Sequence, residues 1–481
     1  MQKLKQRTVA IVIGSVLCLV IIVGTANTVV TSFNKKMKSA AAPTAMPKLS
    51  PTPGTGSLLP DPADLPPGKN WTQYRFDIDG TGTNPEPSIS EQNIKQLTQR
   101  WESNSFAAIE STPAIVDGVI YVTSGNALYA FDVRTGAEIW QFNDDPQKKL
   151  LISSSVAVDP QSHIAYYGTP EARVYAINTL TGTELWHMQL GDPAHGANIW
   201  SSPLLVNSKL YIGLASDDDN PCVRGAVFAL DPKDGHSIWI HYTVDANQLG
   251  GAVWSSLIAR SAAHEIIATT GNPCPWGASF GQSDSFVALD WDTGETHWEY
   301  KALPSDNCDC DFGEGAVDFD YQGQEYLVAG NKFGKVYALK PPTADHGVEL
   351  AWSLAITKPG FLAAGGIFEP PTYRNGIVYM AGGPSLDGAC RQGELFALQA
   401  NSGAVLWSSC TAGQVVSPSV IIGGVLLVAQ DKKVVGYASR TGKVLWQAAY
   451  QGLVWGGISV SRGFVVVGTV AGKLYCFSLK V

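Results

Sequence analysis

The phrase "LYAFDVRTGAEIW" at residues 128–140 returns with variations as "VYAINTLTGTELW", "VFALDPKDGHSIW", "FVALDWDTGETHW", "LFALQANSGAVLW" and "VVGYASRTGKVLW". In each copy a short apolar strand meets a polar turn containing glycine, and tryptophan stands four residues after that glycine. Glycine supplies the positive φ that such a hairpin turn needs. A looser copy, "VYALKPPTADHGVELAW", ends at Trp352. The tryptophans at 140, 186, 239, 298, 352, 407 and 446 are spaced by 39 to 59 residues, the size of one four-stranded propeller blade. A repeat of this kind overrides the three domains that 481 residues would otherwise suggest.

Trp101 in "LTQRWES" stands 39 residues before Trp140 with no matching strand and turn ahead of it, whereas the chain ends on "KLYCFSLKV", a strand without its tryptophan. Joining the two ends completes an eighth blade. The expected fold is therefore all-β, an eight-bladed propeller closed by pairing of the termini, since closure removes the open sheet edges that invite aggregation. All eight repeat tryptophans are assigned to docking between blades. Trp71, Trp200, Trp254, Trp276, Trp291 and Trp455 fall outside the phrase and require separate reasons.

Ahead of the repeats, residues Val9 to Val30 carry no charge and are long enough to span a bilayer. We read residues 1–38 as an uncleaved N-terminal transmembrane helix with its basic flanks; a cleaved signal peptide is the alternative. Residues 39–69 hold eight prolines and little that could pack, and form a semi-extended linker to a propeller over 70–481. The first 38 residues contain six bases and no acid, so a formal net charge of −9 leaves −15 on the remainder. Such a body repels phosphate backbones and excludes nucleic acid as a partner. Seven of the eight cysteines lie beyond the anchor, as suits an oxidising compartment, and no CxxCH is present for covalent haem.

The A-x-D-x-x-T-G-x-x-x-W character of the repeat resembles that of quinoproteins, the dehydrogenases that use pyrroloquinoline quinone (PQQ). Non-catalytic scaffolds of the outer-membrane assembly type share it, so the segments found once must discriminate. "TGNPCPW" resembles the segment of alcohol and methanol dehydrogenases whose asparagine ligates the metal, which implies that role for Asn272; an amide oxygen is a suitable ligand for calcium. "GGAVWSS" places Trp254 where those enzymes rest the flat quinone. "AIESTPAIVDG" implies a quinone contact for Glu110, and "LVWGGISVSRG" a channel-facing Trp455.

The family pattern D-x-W-D-x-D appears as "DNCDCD", with cysteine in place of tryptophan. The resemblance implies that Asp309 is the general base and a metal neighbour, and that Asp311 is the extra carboxylate of lanthanide-using members. It also implies that Lys332 is the cation beside the reactive carbonyl. In that scheme the metal polarises the carbonyl, the cation stabilises developing negative charge, and hydride leaves the alcohol carbon. Asp309 and Asp311 can reach one metal only if their loop departs from a regular strand.

The pattern departs at the metal-binding glutamate, where "SDDDNPCVRG" offers Asn220 preceded by three aspartates; Asp218 is assigned as the displaced ligand, in a loop closer to polyvinyl alcohol dehydrogenases. No adjacent Cys-Cys pair exists. Cys222, Cys274, Cys308 and Cys310 allow three disulfide pairings, with a soft-metal site as the alternative, and Cys390 with Cys410 forms a structural bridge. The expected activity is oxidation of a small or polymeric alcohol with PQQ and calcium or a lanthanide. Electrons pass to an external acceptor such as a cytochrome or quinone, and the protein is held outside the cytoplasm by its membrane anchor. The rivals are a protein-interaction scaffold that has lost the cofactor and a secreted sugar-binding propeller.

Overall fold

A computed structural model describes residues 59–479, apart from 105, 218, 220 and 361–364. The expected anchor and most of the linker lie outside these residues. Among those described, no helix is long and apolar enough to cross a membrane.

Eight antiparallel sheets, each built on a meander of four strands, follow one another along the chain. Their innermost strands are Ala114–Val116, Ala157–Asp159, Leu204–Val206, Ile258–Arg260, Val317–Tyr321, Thr372–Arg374, Val420–Ile422 and Ile458–Ser461, which number blades 1 to 8. The strands form because runs such as Val425–Gln430, with every residue buried, present β-branched and leucine side chains to the sheets on both sides. Blade 8 is closed as expected: Leu97–Glu102 pairs antiparallel with the last strand, Leu474–Leu479, placing Leu97 opposite Leu479.

The Gly-to-Trp spacing has a tertiary meaning beyond the turn. An added Cβ at Gly136, Gly182, Gly235, Gly294, Gly403 or Gly442 would come within 2.6–2.8 Å of the indole of Trp101, Trp140, Trp186, Trp239, Trp352 or Trp407, respectively. Each tryptophan thus lies flat on the turn glycine of the following blade. Its indole N–H then donates to a carbonyl there, as Trp140 does to Thr179 O (2.9 Å) and Trp407 to Ser439 O (2.9 Å). Trp446 donates across the closure to Leu97 O (3.0 Å). Trp298 departs from the pattern, donating to Glu265 Oε1 of its own blade (3.1 Å), because blade 5 carries the longer turn of the looser repeat.

Residues 71–84 run around the inner strands in blade order. Trp71 pairs with Ile115; Thr72, Ile78, Asp79, Thr81 and Gly82 accept from the amides of Val158, Ala259, Asp318, Tyr373 and Ile421; Asn84 Nδ2 donates to Val460 O. Ile78 also packs on the cluster containing Leu204 of blade 3. This segment carries the buried Arg75, which donates to Gly80 O, Thr372 Oγ1, Ser419 O and Pro371 O. Tyr74 donates to Glu314 Oε2 (3.1 Å). Burial pushes the carboxyls of Glu314 and Glu369 up to about 8.

Candidate functional site

Trp254, Asp309 and Asp311 precede the inner strands of blades 4 and 5, while Asn272 and Lys332 follow the antiparallel second strands, Glu265–Thr269 and Gln324–Gly330. Opposite strand directions bring all five to one end of the blades. Glu110 and Trp455 precede the inner strands of blades 1 and 8 and therefore share that end. The 71–84 segment bonds to the inner strands themselves, farther along the axis.

At the centre, Lys332 Nζ lies 2.6 Å from both Asp309 Oδ1 and Asp311 Oδ1, and 4.7 Å from the centroid of the Trp254 ring. Trp254 Nε1 donates to Asp311 Oδ2 (3.0 Å). Asp311 is 1% exposed and Lys332 5%. Burial opposes the lysine's charge, but the two carboxylates outweigh it and hold the ammonium above its ordinary value. Burial likewise raises the Asp311 carboxyl; Lys332 offsets this in part and the charge of Asp309 adds to it.

Asn272 Nδ2 donates to Asp219 Oδ2 (3.3 Å), and the Cys222–Cys274 disulfide ties the acidic loop to the asparagine loop. A Cβ on Gly271 would sit 3.0 Å from Asp311 Oδ2, so the Asp311 carboxylate rests against the backbone beside Asn272. Asp309 and Asp311 thus meet at the Lys332 ammonium while Asp219 faces Asn272 Nδ2, so the carboxylates and the amide stand as two adjoining pairs, of the hard oxygen-donor types that calcium or a lanthanide takes. Asp218 lies outside the described residues; its neighbour Asp219 is the aspartate that reaches Asn272.

Asp309 has φ +53°, so the loop does depart from a strand, and Asp309 and Asp311 meet at one cation. The four loop cysteines form Cys222–Cys274 and Cys308–Cys310, which leaves no soft-metal thiolates there. Cys390–Cys410 is bridged as expected, and Cys476 is free and buried.

Glu110 is buried and accepts from Ser153 Oγ (2.7 Å); burial raises its carboxyl. A Cβ on Gly456 would lie 2.6 Å from Glu110 O, so the Trp455 segment abuts the Glu110 segment. The other tryptophans outside the repeat find different places. Trp71 is buried against Ile115, Trp200 donates to Ser216 O, Trp291 stacks on His264, and Trp276 is exposed.

Two residues were missed by the sequence reading. Asp306 is buried and accepts from the amides of Cys308 and Cys310, both at 2.8 Å. Asp284 is 1% exposed, and neither of its carboxylate oxygens has a hydrogen-bond partner among the described residues. Burial first, then the Asp311 and Asp306 charges, pushes its carboxyl up to about 9. Asp306 stood in the quoted loop and its helix-free, turn-forming spacing to two cysteines was the available signal; Asp284 sits at a strand start with no such mark.

The glucose/ethanol/alcohol dehydrogenase β-propeller model matches residues 71–345, and the model of the outer membrane protein assembly factor BamB matches residues 332–480. Among curated proteins, the chain is 24% identical to the quinoprotein alcohol dehydrogenase PedH of Pseudomonas putida, over 84% of this chain and 79% of that one. It is also 24% identical to polyvinylalcohol dehydrogenase of Sphingopyxis sp., over 81% and 68%. Matches to a quinoprotein ethanol dehydrogenase and a quinohemoprotein alcohol dehydrogenase of Pseudomonas putida span about half of those proteins, 52% and 45%. Among solved structures, a europium-containing methanol dehydrogenase superposes with TM-score 0.72 at 19% identity, covering 85% of this chain and 98% of that one. BamB of Moraxella catarrhalis gives 0.58 at 18%, covering 79% and 99%. With its repeat, its eight closed blades and a family model that matches from Trp71 to Asp345, the chain belongs to the PQQ-dependent glucose/ethanol/alcohol dehydrogenase β-propeller family.

Proposed function

We propose that the protein is a PQQ-dependent dehydrogenase that oxidises an alcohol, small or polymeric, with calcium or a lanthanide, and passes electrons to an external acceptor such as a cytochrome or quinone. The observation that carries this reading is the buried group of Lys332, Asp309 and Asp311 against Trp254. Burying the charges of Lys332 and Asp311, with Asp309 half-buried beside them, costs several kcal/mol, more than a propeller needs to spend on blade packing that tryptophan and glycine already provide. A scaffold has no use for that arrangement. The BamB model match over residues 332–480 keeps the scaffold as the alternative, but it begins at Lys332 and leaves out the acidic loop, Trp254, Asn272 and Asp309.

Bound PQQ with its metal would supply the acceptor for a hydride and the Lewis acid that polarises it. Trp254 offers an indole face for the planar ring system. Asn272, Asp219, Asp309 and Asp311 would hold the cation, with Glu110 and Trp455 contacting the cofactor from the blade 1 and 8 side. Asp309, half-buried, takes the hydroxyl proton of the alcohol as general base. Lys332, between two carboxylates, stays protonated and stabilises negative charge that develops on the acceptor.

We also propose that residues 1–38 anchor the protein in the membrane through the 9–30 segment, that 39–69 act as tether, and that the propeller works outside the cytoplasm. Three disulfides support an oxidising location. The test is reconstitution of the purified soluble part with PQQ and calcium or lanthanum, followed by dye-linked oxidation of an alcohol panel. Turnover that depends on both additions is expected; failure to bind PQQ with either metal overturns the reading in favour of the scaffold.

A further inference from the structure

We infer that the Cys308–Cys310 disulfide, with Asp306 beneath it, is the positioning device for Asp309, and that opening the bridge releases the base without dismantling the rest of the site. This rests on the reading of Asp309 as general base.

The bridge joins residues on either side of Asp309 and so closes a small covalent ring around that one residue. Within the ring Asp309 adopts φ +53°, the left-handed region, which costs a non-glycine residue about 1–2 kcal/mol relative to ordinary backbone. The conformation therefore needs something to hold it. Asp306 supplies the floor: its two carboxylate oxygens accept from the amides of Cys308 and Cys310, one on each side of Asp309, both at 2.8 Å. With the backbone fixed at both flanks, the Asp309 side chain meets Lys332 Nζ at 2.6 Å. An unbridged loop is free to return Asp309 to ordinary backbone, which swings its carboxylate away from Lys332. Trp254, Asn272 and Lys332 stand on other loops and the Cys222–Cys274 bridge is separate; Trp254 Nε1 and the Lys332 amide reach this loop at Asp311, just outside the ring, at 3.0 and 2.8 Å.

Cys308 is exposed and Cys310 is 1% exposed, so an external thiolate meets the bridge at the Cys308 sulfur. A dithiol opens it by exchange. The attacking thiolate forms a mixed disulfide with Cys308 as Cys310 leaves as thiolate. The second thiol then closes the reagent into its own cyclic disulfide and releases Cys308, with two electrons and two protons transferred to the protein.

The experiment compares the holoprotein with the Cys308→Ser/Cys310→Ser variant by hydrogen exchange at the amides of residues 308 and 310, and by steady-state kinetics. Loss of the bridge should speed exchange at both amides at least tenfold while amides of the blade strands stay unchanged. It should lower kcat at least tenfold, with KM for the alcohol and the affinity for PQQ within about threefold, while calcium affinity falls with the loss of the Asp309 carboxylate; tenfold corresponds to about 1.4 kcal/mol. A purely structural bridge would move stability and cofactor affinity together with kcat. If the serine variant does not fold, wild-type protein treated with dithiothreitol, with the opened bridge mapped by mass spectrometry, gives the same readouts, and reoxidation should restore kcat. Unchanged exchange at residues 308 and 310, or an unchanged kcat in an active enzyme, overturns the proposal. If wild-type protein oxidises no alcohol while exchange responds as expected, the positioning of Asp309 stands and the dehydrogenase reading falls.

Discussion

At the scale of single residues, the arrangement around Lys332 separates chemistry from binding. Asp309→Asn keeps the side-chain volume and removes the proton acceptor, so turnover should fall by at least 10²-fold while PQQ and metal still bind; activity near the wild-type level would remove Asp309 as the base. Trp254→Ala should weaken PQQ binding by about 1–3 kcal/mol through loss of the stacking face, read by fluorescence titration of the cofactor, and equal affinity would refute the assignment. Asp284 gives a pH dependence. Its carboxyl, raised from 3.8 to about 9, is protonated in the fold and ionised in the unfolded chain between those values, so the native state binds the extra proton. Stability from this group is thus fully present below about pH 4 and is lost as pH rises to about 9. Asp284→Asn cannot ionise, so its Tm relative to wild type should be more favourable at about pH 8 than at about pH 5; calorimetry showing the same difference at both would contradict the assignment.

At the scale of the repeat element, glycine and tryptophan act as a pair across two blades. Gly442 has φ +69° and carries the indole of Trp407, so Gly442→Ala meets both a left-handed backbone cost and a methyl 2.7 Å from that ring. The expected destabilisation is about 2–4 kcal/mol. Trp407→Ala should destabilise by about 3–5 kcal/mol and leave PQQ affinity unchanged, the reverse of Trp254→Ala. Denaturant unfolding and cofactor titration on the same two variants check the contrast. The repeat was legible because its hairpins are local and their turn chemistry is fixed by a few residues. That the glycine of one blade seats the tryptophan of the preceding one was not legible, because the two stand about 35 to 55 residues apart and meet only once the blades are stacked.

For the whole molecule, the 71–84 segment fastens seven blades, all but blade 3, by backbone or side-chain hydrogen bonds, and its Ile78 packs on the apolar cluster shared by blades 3 and 4. Removing residues 1–84 should therefore cost about 5 kcal/mol or more, since Arg75 and the strand contacts leave together and polar groups of the inner strands lose their partners. Removing residues 1–38 alone should yield a soluble protein with an unchanged cooperative transition, because the proline-rich stretch separates that segment from the blades. Differential scanning calorimetry of the two truncations distinguishes them: equal Tm values would deny the inner segment its role as a clasp, and aggregation of the shorter truncation would show that residues 1–38 pack on the body.

The sequence by itself determined the blade number and the closure through Leu97–Glu102, because repeat spacing and hairpin turns are properties of neighbouring residues. It also singled out Trp254, Asn272, Asp309, Asp311 and Lys332. What it left open was settled by contacts between distant segments: which cysteines pair, and that Asp219 meets Asn272 across 53 residues. The same holds for Asp284, whose carboxyl is raised first by burial and then by the charges of Asp311 and Asp306 from another blade. Pairing, burial and electrostatic neighbourhood depend on which loops the closed ring brings to one end of its axis, and local sequence carries no record of that proximity.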